Sequence, residues 1–334
     1  VTTPALPLTD PALSELLTGR LALVEERLRD AVTHTDVLAD TASRHLVNAG
    51  GKRLRPLLCL LAAQLGDGRR PEVVDAAVVV ELTHLATLYH DDVMDSAPLR
   101  RGAPAAHEVW GNQVAILTGD LLFARASGLV AGLGPEAVRI QAATFERLCL
   151  GQLHETVGPA DGADAVEHYL QVLADKTASL IATSARFGAM FAGCPADVVD
   201  TLVQYGEKVG VAFQLADDVI DLAVDGAATG KTPGTDLREK VPTMPALLLR
   251  ARAARPQAAQ ADRDLVALLD SDLSGDEALA QAVAALRAHP VLDETRDLAG
   301  RWAREAVTAL GTLPPGAVRD SFVSFTEALV DRAA

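Results

Sequence analysis

Apolar positions recur at intervals of three and four along most of the chain, and strict alternation of the strand type is nearly absent. Leu13, Leu16, Leu17, Leu21 and Val24 set the pattern near the N-terminus. They follow Asp10-Pro11, which reads as an N-cap with proline at the first helical position. The periodicity predicts helices over 72–95, 112–131, 136–157, 164–192 and 197–225, and Ala-rich helices from 246 onward. Several are apolar on nearly every face, which places them inside a bundle. Gly226 to Pro245 predicts a loop, Ser274-Gly275-Asp276-Glu277 has the capping-box pattern, and Pro290 and Pro314-Pro315 punctuate the remainder. The expectation is an all-α fold in a single domain over 1–334, since no linker is long enough to separate a second domain from the first.

Composition narrows the function classes. Hydrophobic residues make up 49% of the 334 positions and aromatics only 4%, so a sizeable core is built mostly from Ala, Leu and Val. A formal charge of −15 would repel a phosphate backbone and excludes a general nucleic-acid binder. Cys59, Cys149 and Cys194 are far apart and odd in number, which fits a reducing cytoplasm better than a disulfide framework. No uninterrupted apolar run reaches ~18 residues, so no integral membrane span is expected. VTTPALPLTD shows no signal-peptide pattern.

Two short stretches stand out against this background. LYHDDVMD (88–95) carries Asp91, Asp92 and Asp95, and QLADDVIDL (214–222) carries Asp217, Asp218 and Asp221. One DDxxD has little weight in an aspartate-rich chain; two copies, both closing apolar helical segments, are much harder to produce by accident. On a helix Asp91 and Asp95 share a face, as do Asp217 and Asp221, and like charges at that spacing repel. Apolar neighbours and a helix C-terminus make the repulsion worse. Clustered carboxylates without His or Cys call for a hard divalent cation, Mg²⁺ above all, which takes its remaining ligands from water and phosphate.

Anion sites accompany them. Gly50-Gly51-Lys52-Arg53-Leu54-Arg55-Pro56 is a glycine-led basic cluster opening a helix. Arg100 and Arg101 follow the first acidic motif, and Lys176-Thr177 and Gly230-Lys231 add further cations. Each alone reads as solvated surface charge. Together they describe diphosphate binding through Mg²⁺ beside a large apolar interior.

GGKRLRP, HDDVMD followed by LRRG, KT, and FQLADDVIDL followed by GKTPGTDL resemble, in order and spacing across about 45–245, the trans-polyprenyl diphosphate synthase family. The resemblance implies a bundle of roughly ten or more helices around a deep central cavity, usually in a homodimer. It implies about three Mg²⁺ ions per active site, with Asp91, Asp95, Asp217 and Asp221 as metal ligands, and Asp92 and Asp218 in support. Arg100, Lys176 and Lys231 would hold an allylic diphosphate. Lys52, Arg55, His84 and Arg101 would hold isopentenyl diphosphate, and Thr177 and Gln214 would lie near the reacting carbons. The implied reaction is ionisation of the allylic diphosphate, attack by the double bond of isopentenyl diphosphate, and loss of a proton. One departure stands in Glu239-Lys240-Val241-Pro242-Thr243, where the lysine is displaced by one position from the family pattern; near the C-terminus Arg332 is a weak candidate contact.

Ala86 and Thr87 precede Asp91 by five and four residues. In the family, an aromatic there plugs the cavity and stops growth at fifteen carbons. The small residues here predict a longer product, twenty carbons or more, with Phe123 and Phe145 as candidates for a deeper floor. Three rival readings fit less well. A His-Asp phosphohydrolase would need more metal-ligating histidines. A terpene cyclase would need neither GGKRLRP nor a second acidic motif of the same form. A non-catalytic partner subunit would be expected to lose its acidic motifs.

Overall fold

The computed structural model describes residues 10–223 and 233–331. Lys231 and Arg332 lie outside the described residues. Helices dominate, as the periodicity predicts: α1 (Pro11–Ala31), α2 (Val37–Asn48), α3 (Leu54–Ala62), α4 (Pro71–Met94), α5 (Ala106–Trp110), α6 (Asn112–Gly132), α7 (Pro135–Val157), α8 (Ala165–Leu173), α9 (Ser179–Phe191) and α10 (Ala196–Ala223), followed by further helices to Asp331. Asp10 caps α1 as expected, its Oδ1 accepting the Leu13 N–H at 2.8 Å. The box at Ser274 does not form: that helix runs Asp276–Arg287 behind Gly275 and has no side-chain cap.

The segment 164–192 is not one helix. α8 gives way to a π-helical turn over Ala174–Ala178 before α9 begins. An inserted residue of this kind leaves the apolar period intact on either side, so the pattern does not reveal it; such turns gather at functional sites. A second departure is a small antiparallel hairpin after α4, β1 (Leu99–Arg100) with β2 (Ala103–Pro104). Its two turn residues, Arg101 (φ 55°) and Gly102 (φ 78°), are both left-handed, the combination that fits the twist of a two-residue hairpin.

The contacts group the chain into two units. One comprises Val1–Leu148, Ser179–Gly206 and Ala309–Phe325. Its centre is α4, whose Val78, Val79, Val80, Leu82, Leu85 and Ala86 are fully buried and which packs on α1, α3, α6 and α9. Tyr89 ties α4 to α2 by donating to the Ala42 carbonyl at 2.5 Å. The other unit comprises Cys149–Ala178, Glu207–Thr308 and Thr326–Ala334. One of its clusters is built on Val219, Leu222, Leu249 and Leu286, and another on Tyr169, Leu173, Val211, Leu215 and Met244.

Length and composition alone do not separate a core helix from a membrane-spanning one. By length and hydropathy both α4 and α6 qualify. Their few charged residues are spaced so that an 18-residue window tolerates them. α4 is a core helix, with 67% of its window buried; the α6 window is 33% buried and exposes Ile116 and Leu117.

Candidate active site

In the first unit the chemistry is arranged along one stripe of α4. Glu81, His84, Asp91 and Asp95 succeed one another at spacings of three, seven and four, all on one helical face. Asp95 is the helix C-cap and is exposed, while Asp91 is half-buried. Asp92 lies about 100° round the helix and faces inward. Its side chain is fully buried, Arg100 Nε and Nη2 both reach Oδ1 at 2.5 Å, and Oδ2 is buried with no hydrogen-bond partner. Burial pushes the Asp92 acid above the usual carboxylate range, and Arg100 pulls the other way. Asp92 thus clamps the hairpin that follows the motif. Arg100, expected on a diphosphate, spends part of its five-donor fork on that clamp.

The basic cluster converges on the same stripe. Arg53, in left-handed backbone (φ 50°) just before α3, buries its guanidinium against Glu25 at 2.5 Å and Glu81 at 2.8 Å, and donates to the Val47 carbonyl. Burial works against its charge, but the two carboxylates more than offset it and raise its pKa. Arg101 donates to the carbonyls of Gly50 and Leu46 and stands 4.0 Å from Glu81. Gly51 (φ 143°) makes room for it: a Cβ there would stand 2.7 Å from the Arg101 guanidinium carbon. Arg55 is the exception. Burial lowers its pKa to about 10, Arg101 adds repulsion, and Glu81 and Asp91 compensate only in part. It stays charged at neutral pH, yet its Nε is buried without an acceptor. Lys52, by contrast, is exposed.

His84 stands among these cations. Burial first, then Arg55, Arg101, Arg100 and Arg53, hold it well below its usual 6.5, so the ring is neutral at pH 7. The unfolded chain protonates the same ring near pH 6.5. Below that pH the unfolded state binds the extra proton and the folded state does not, so this contribution to stability is lost as the pH falls. His84→Gln is expected to lose less stability than the parent protein between about pH 7.5 and 5.5 in urea titrations. Parallel pH dependence of the two would contradict a neutral ring in the folded protein.

In the second unit α10 carries the other motif. Asp217 and Asp221 are half-buried, whereas Asp218 is buried and turned inward. Tyr169 donates to both Asp218 oxygens, at 3.1 and 2.9 Å, and the Met244 N–H donates to Oδ2 at 2.9 Å. Burial pushes the Asp218 acid well up, against the pull of these two donors. Asp218, like Asp92, is held by internal hydrogen bonds. Lys176 and Thr177 occupy the π-turn. The Lys176 ammonium pairs with Glu155, and Thr177 Oγ1 lies 3.4 Å from Gln214 Oε1. Gly151 on α7 lets the backbones meet there, since a Cβ would stand 2.6 Å from the Lys176 nitrogen. Lys240 is exposed in left-handed backbone, and its charge bears on Asp270 and Asp272.

Among the described residues no three His, Cys, Asp or Glu side chains form a preassembled metal cluster. The donors nevertheless suit Mg²⁺, which takes one or two carboxylates per site and completes its shell from phosphate and water. Asp91 with Asp95, and Asp217 with Asp221, offer such pairs after the middle carboxylates have turned away.

Sequence reasoning missed Glu81, Glu25, Glu155 and Tyr169. Glu81 had a readable signal, a lone acid inside Val78-Val79-Val80-Glu81-Leu82 one turn before His84. The others had none, because their partners are remote in sequence.

The family model described as polyprenyl synthetase matches residues 36–286. A nonaprenyl diphosphate synthase of Mycobacterium tuberculosis is 43% identical over 328 residues, covering 97% of this chain and 96% of its own. The structure of a geranylgeranyl pyrophosphate synthase from Corynebacterium glutamicum, complexed with calcium and isoprenyl diphosphate, is 39% identical, with a TM-score of 0.85 and coverage of 98% and 99%. A polyprenyl synthase from Caulobacter crescentus with the same ligands is 33% identical, with a TM-score of 0.86 and coverage of 96% and 97%.

Proposed function

The chain belongs to the polyprenyl synthetase family, and from that footing we propose that residues Lys52, Arg55, His84 and Arg101 bind isopentenyl diphosphate while the acidic motifs bind the allylic diphosphate through Mg²⁺. The activity is trans-prenyl transfer to a product longer than fifteen carbons. The observation that carries the residue assignment is Arg55: a charged, half-buried guanidinium whose buried Nε has no acceptor among the described residues, beside Arg101, in a protein of net charge −15. Glu81 and Asp91 offset its burial only in part, and a bound anion would stabilise it further. Calcium and isoprenyl diphosphate in the two related structures support the same pairing of cation and substrate.

Divalent ions held by Asp91 and Asp95, and by Asp217 and Asp221, would supply Lewis-acid charge to the leaving diphosphate, with about three ions as the expected complement. The protein's own groups do the rest. Arg100 and Lys176 add positive charge toward the allylic diphosphate, and Lys231 is proposed to join them. Neutral His84 offers a hydrogen bond to the second diphosphate without adding to the crowd of cations. Thr177 and Gln214 turn oxygen dipoles toward the carbocation. Fixing both diphosphates would orient the reacting carbons, and positioning of this kind can supply a large share of a rate enhancement. The departing diphosphate is proposed to take the proton lost at the end. The two units are proposed to serve as one synthase domain, supported by a family match that runs through both. A homodimer through α6 is proposed too, supported by its exposed Ile116 and Leu117.

The test is elongation of five-, fifteen- and twenty-carbon allylic diphosphates with labelled isopentenyl diphosphate. Elongation abolished by EDTA supports the reading; no elongation with any primer rejects it. Small Ala86 and Thr87 beside Asp91 support passage of a long tail, and we place the product at thirty carbons or more. Ala86→Phe is expected to shorten the longest product by at least one isoprene unit with little change in melting temperature. An unaltered product ladder would remove Ala86 from the path of the tail.

A further inference from the structure

Asp218 holds three segments of the second unit with a single carboxylate. The Tyr169 hydroxyl reaches both of its oxygens from α8, and the Met244 N–H reaches Oδ2 from the first turn of the helix Met244–Ala253. All three residues are buried, Tyr169 to 6% exposure, Asp218 to 2% and Met244 completely. A carboxylate at the start of a ten-residue helix also meets the positive end of its dipole. The Tyr169 ring packs in the cluster with Leu173, Val211 and Leu215, so its position is set by packing as well as by its hydroxyl.

The consequence lies in the angles of a helix. Asp217 is about 100° from Asp218 around α10, and Asp221 follows Asp218 by three residues. Drawing Asp218 inward therefore fixes the rotation of α10 that leaves Asp217 and Asp221 half-exposed. α8, which carries Tyr169, leads directly into the π-turn holding Lys176 and Thr177. The first unit repeats the device: inward Asp92 holds Arg100 of the following hairpin, while Asp91 and Asp95 remain outward.

We propose that Tyr169 is a positioning residue for prenyl transfer, acting through Asp218 to hold the metal-binding face of α10 and the Lys176–Thr177 turn in register. The inference rests on the function proposed above. It assigns to the middle aspartate of the second motif an internal bond in place of a metal.

Tyr169→Phe keeps the ring and removes only the hydroxyl. The experiment titrates Mg²⁺ into parent and variant in the presence of inorganic pyrophosphate by calorimetry, and measures rates across Mg²⁺ and isopentenyl diphosphate concentrations. Loss of a residue that orients metal ligands typically weakens metal binding by about 10- to 100-fold. That weakening is expected here, with a matching rise in the Mg²⁺ needed for half-maximal rate. KM for isopentenyl diphosphate should stay within about twofold, because its proposed contacts lie in the other unit. Unchanged Mg²⁺ binding would overturn the proposal. So would a uniform loss of Mg²⁺ affinity, isopentenyl diphosphate affinity and melting temperature, which would mark Tyr169 as structural only. Asp218→Asn serves as the second variant, since its amide oxygen can still accept from Met244 and Tyr169; it should lose less than Asp218→Ala, and equal losses would argue for a direct metal ligand. A parent protein that fails to elongate any primer rejects the function, whereas an active parent with an unaffected Tyr169→Phe rejects only this inference.

Discussion

Asp91→Ala is expected to lower kcat by about 10³-fold, equivalent to about 4 kcal/mol of transition-state stabilisation, while the protein folds normally. Asp91 sits on the same stripe of α4 as Asp95 and His84, and its charge is felt by half-buried Arg55. Removing it takes away one carboxylate of a pair proposed to hold divalent cation, and one of the two charges that answer Arg55. Mg²⁺ required for half-maximal rate should rise steeply. The far-UV circular dichroism should not change, because a half-buried aspartate in the last turn adds no packing. Single-turnover elongation under saturating Mg²⁺ is the decisive measurement. Activity within tenfold of the parent would mean that the first acidic motif holds no catalytic metal.

Glu81→Ala should instead destabilise the fold. Glu81 is 1% exposed, bonds Arg53 at 2.8 Å and is the strongest opposing charge for both Arg55 and Arg101. Deleting one partner of a buried ion pair strands the other, at a typical cost of about 3–5 kcal/mol. Glu25 remains for Arg53, which is buried, while Arg55 and Arg101 are only partly exposed. Urea denaturation of parent and variant at pH 7 measures the loss. Added inorganic pyrophosphate should restore some of it, and should stabilise the variant more than the parent, because the anion replaces the missing charge. A variant within about 1 kcal/mol of the parent would mean that the arginines relax outward into solvent.

Much of this was legible in the order of residues. Helical periods located α4, α6 and α10 because an apolar stripe at 3.6-residue spacing is a local property, as is the Asp10 cap. The two acidic motifs and the glycine-led basic stretch were legible for the same reason: their chemistry is contiguous. Four things were not. The π-turn at Lys176 leaves the flanking period untouched. The hairpin at Leu99–Pro104 is too short to alternate. The capping box at Ser274 failed because the helix begins one residue late for it. And six aspartates of one residue type divided into two environments, Asp92 and Asp218 buried and the other four at least partly exposed, because burial follows position on the helix and not residue identity.

The sequence by itself determined the helical class, the membership of the chain in its family, and the residue types that can hold a divalent cation and two diphosphates. Those follow from local spacing and from donor chemistry, which survive without coordinates. Only the tertiary structure decided that Asp92 answers Arg100 and Asp218 answers Tyr169, that Glu81 and Glu25 neutralise Arg53, and that the Nε of Arg55 is buried without an acceptor among the described residues. Each of those outcomes depends on which side chains share a desolvated space. Tyr169 and Asp218 are 49 residues apart, and Arg53 and Glu81 are 28 apart. Over such distances the chain's folding, and no local rule, brings a charge to its partner.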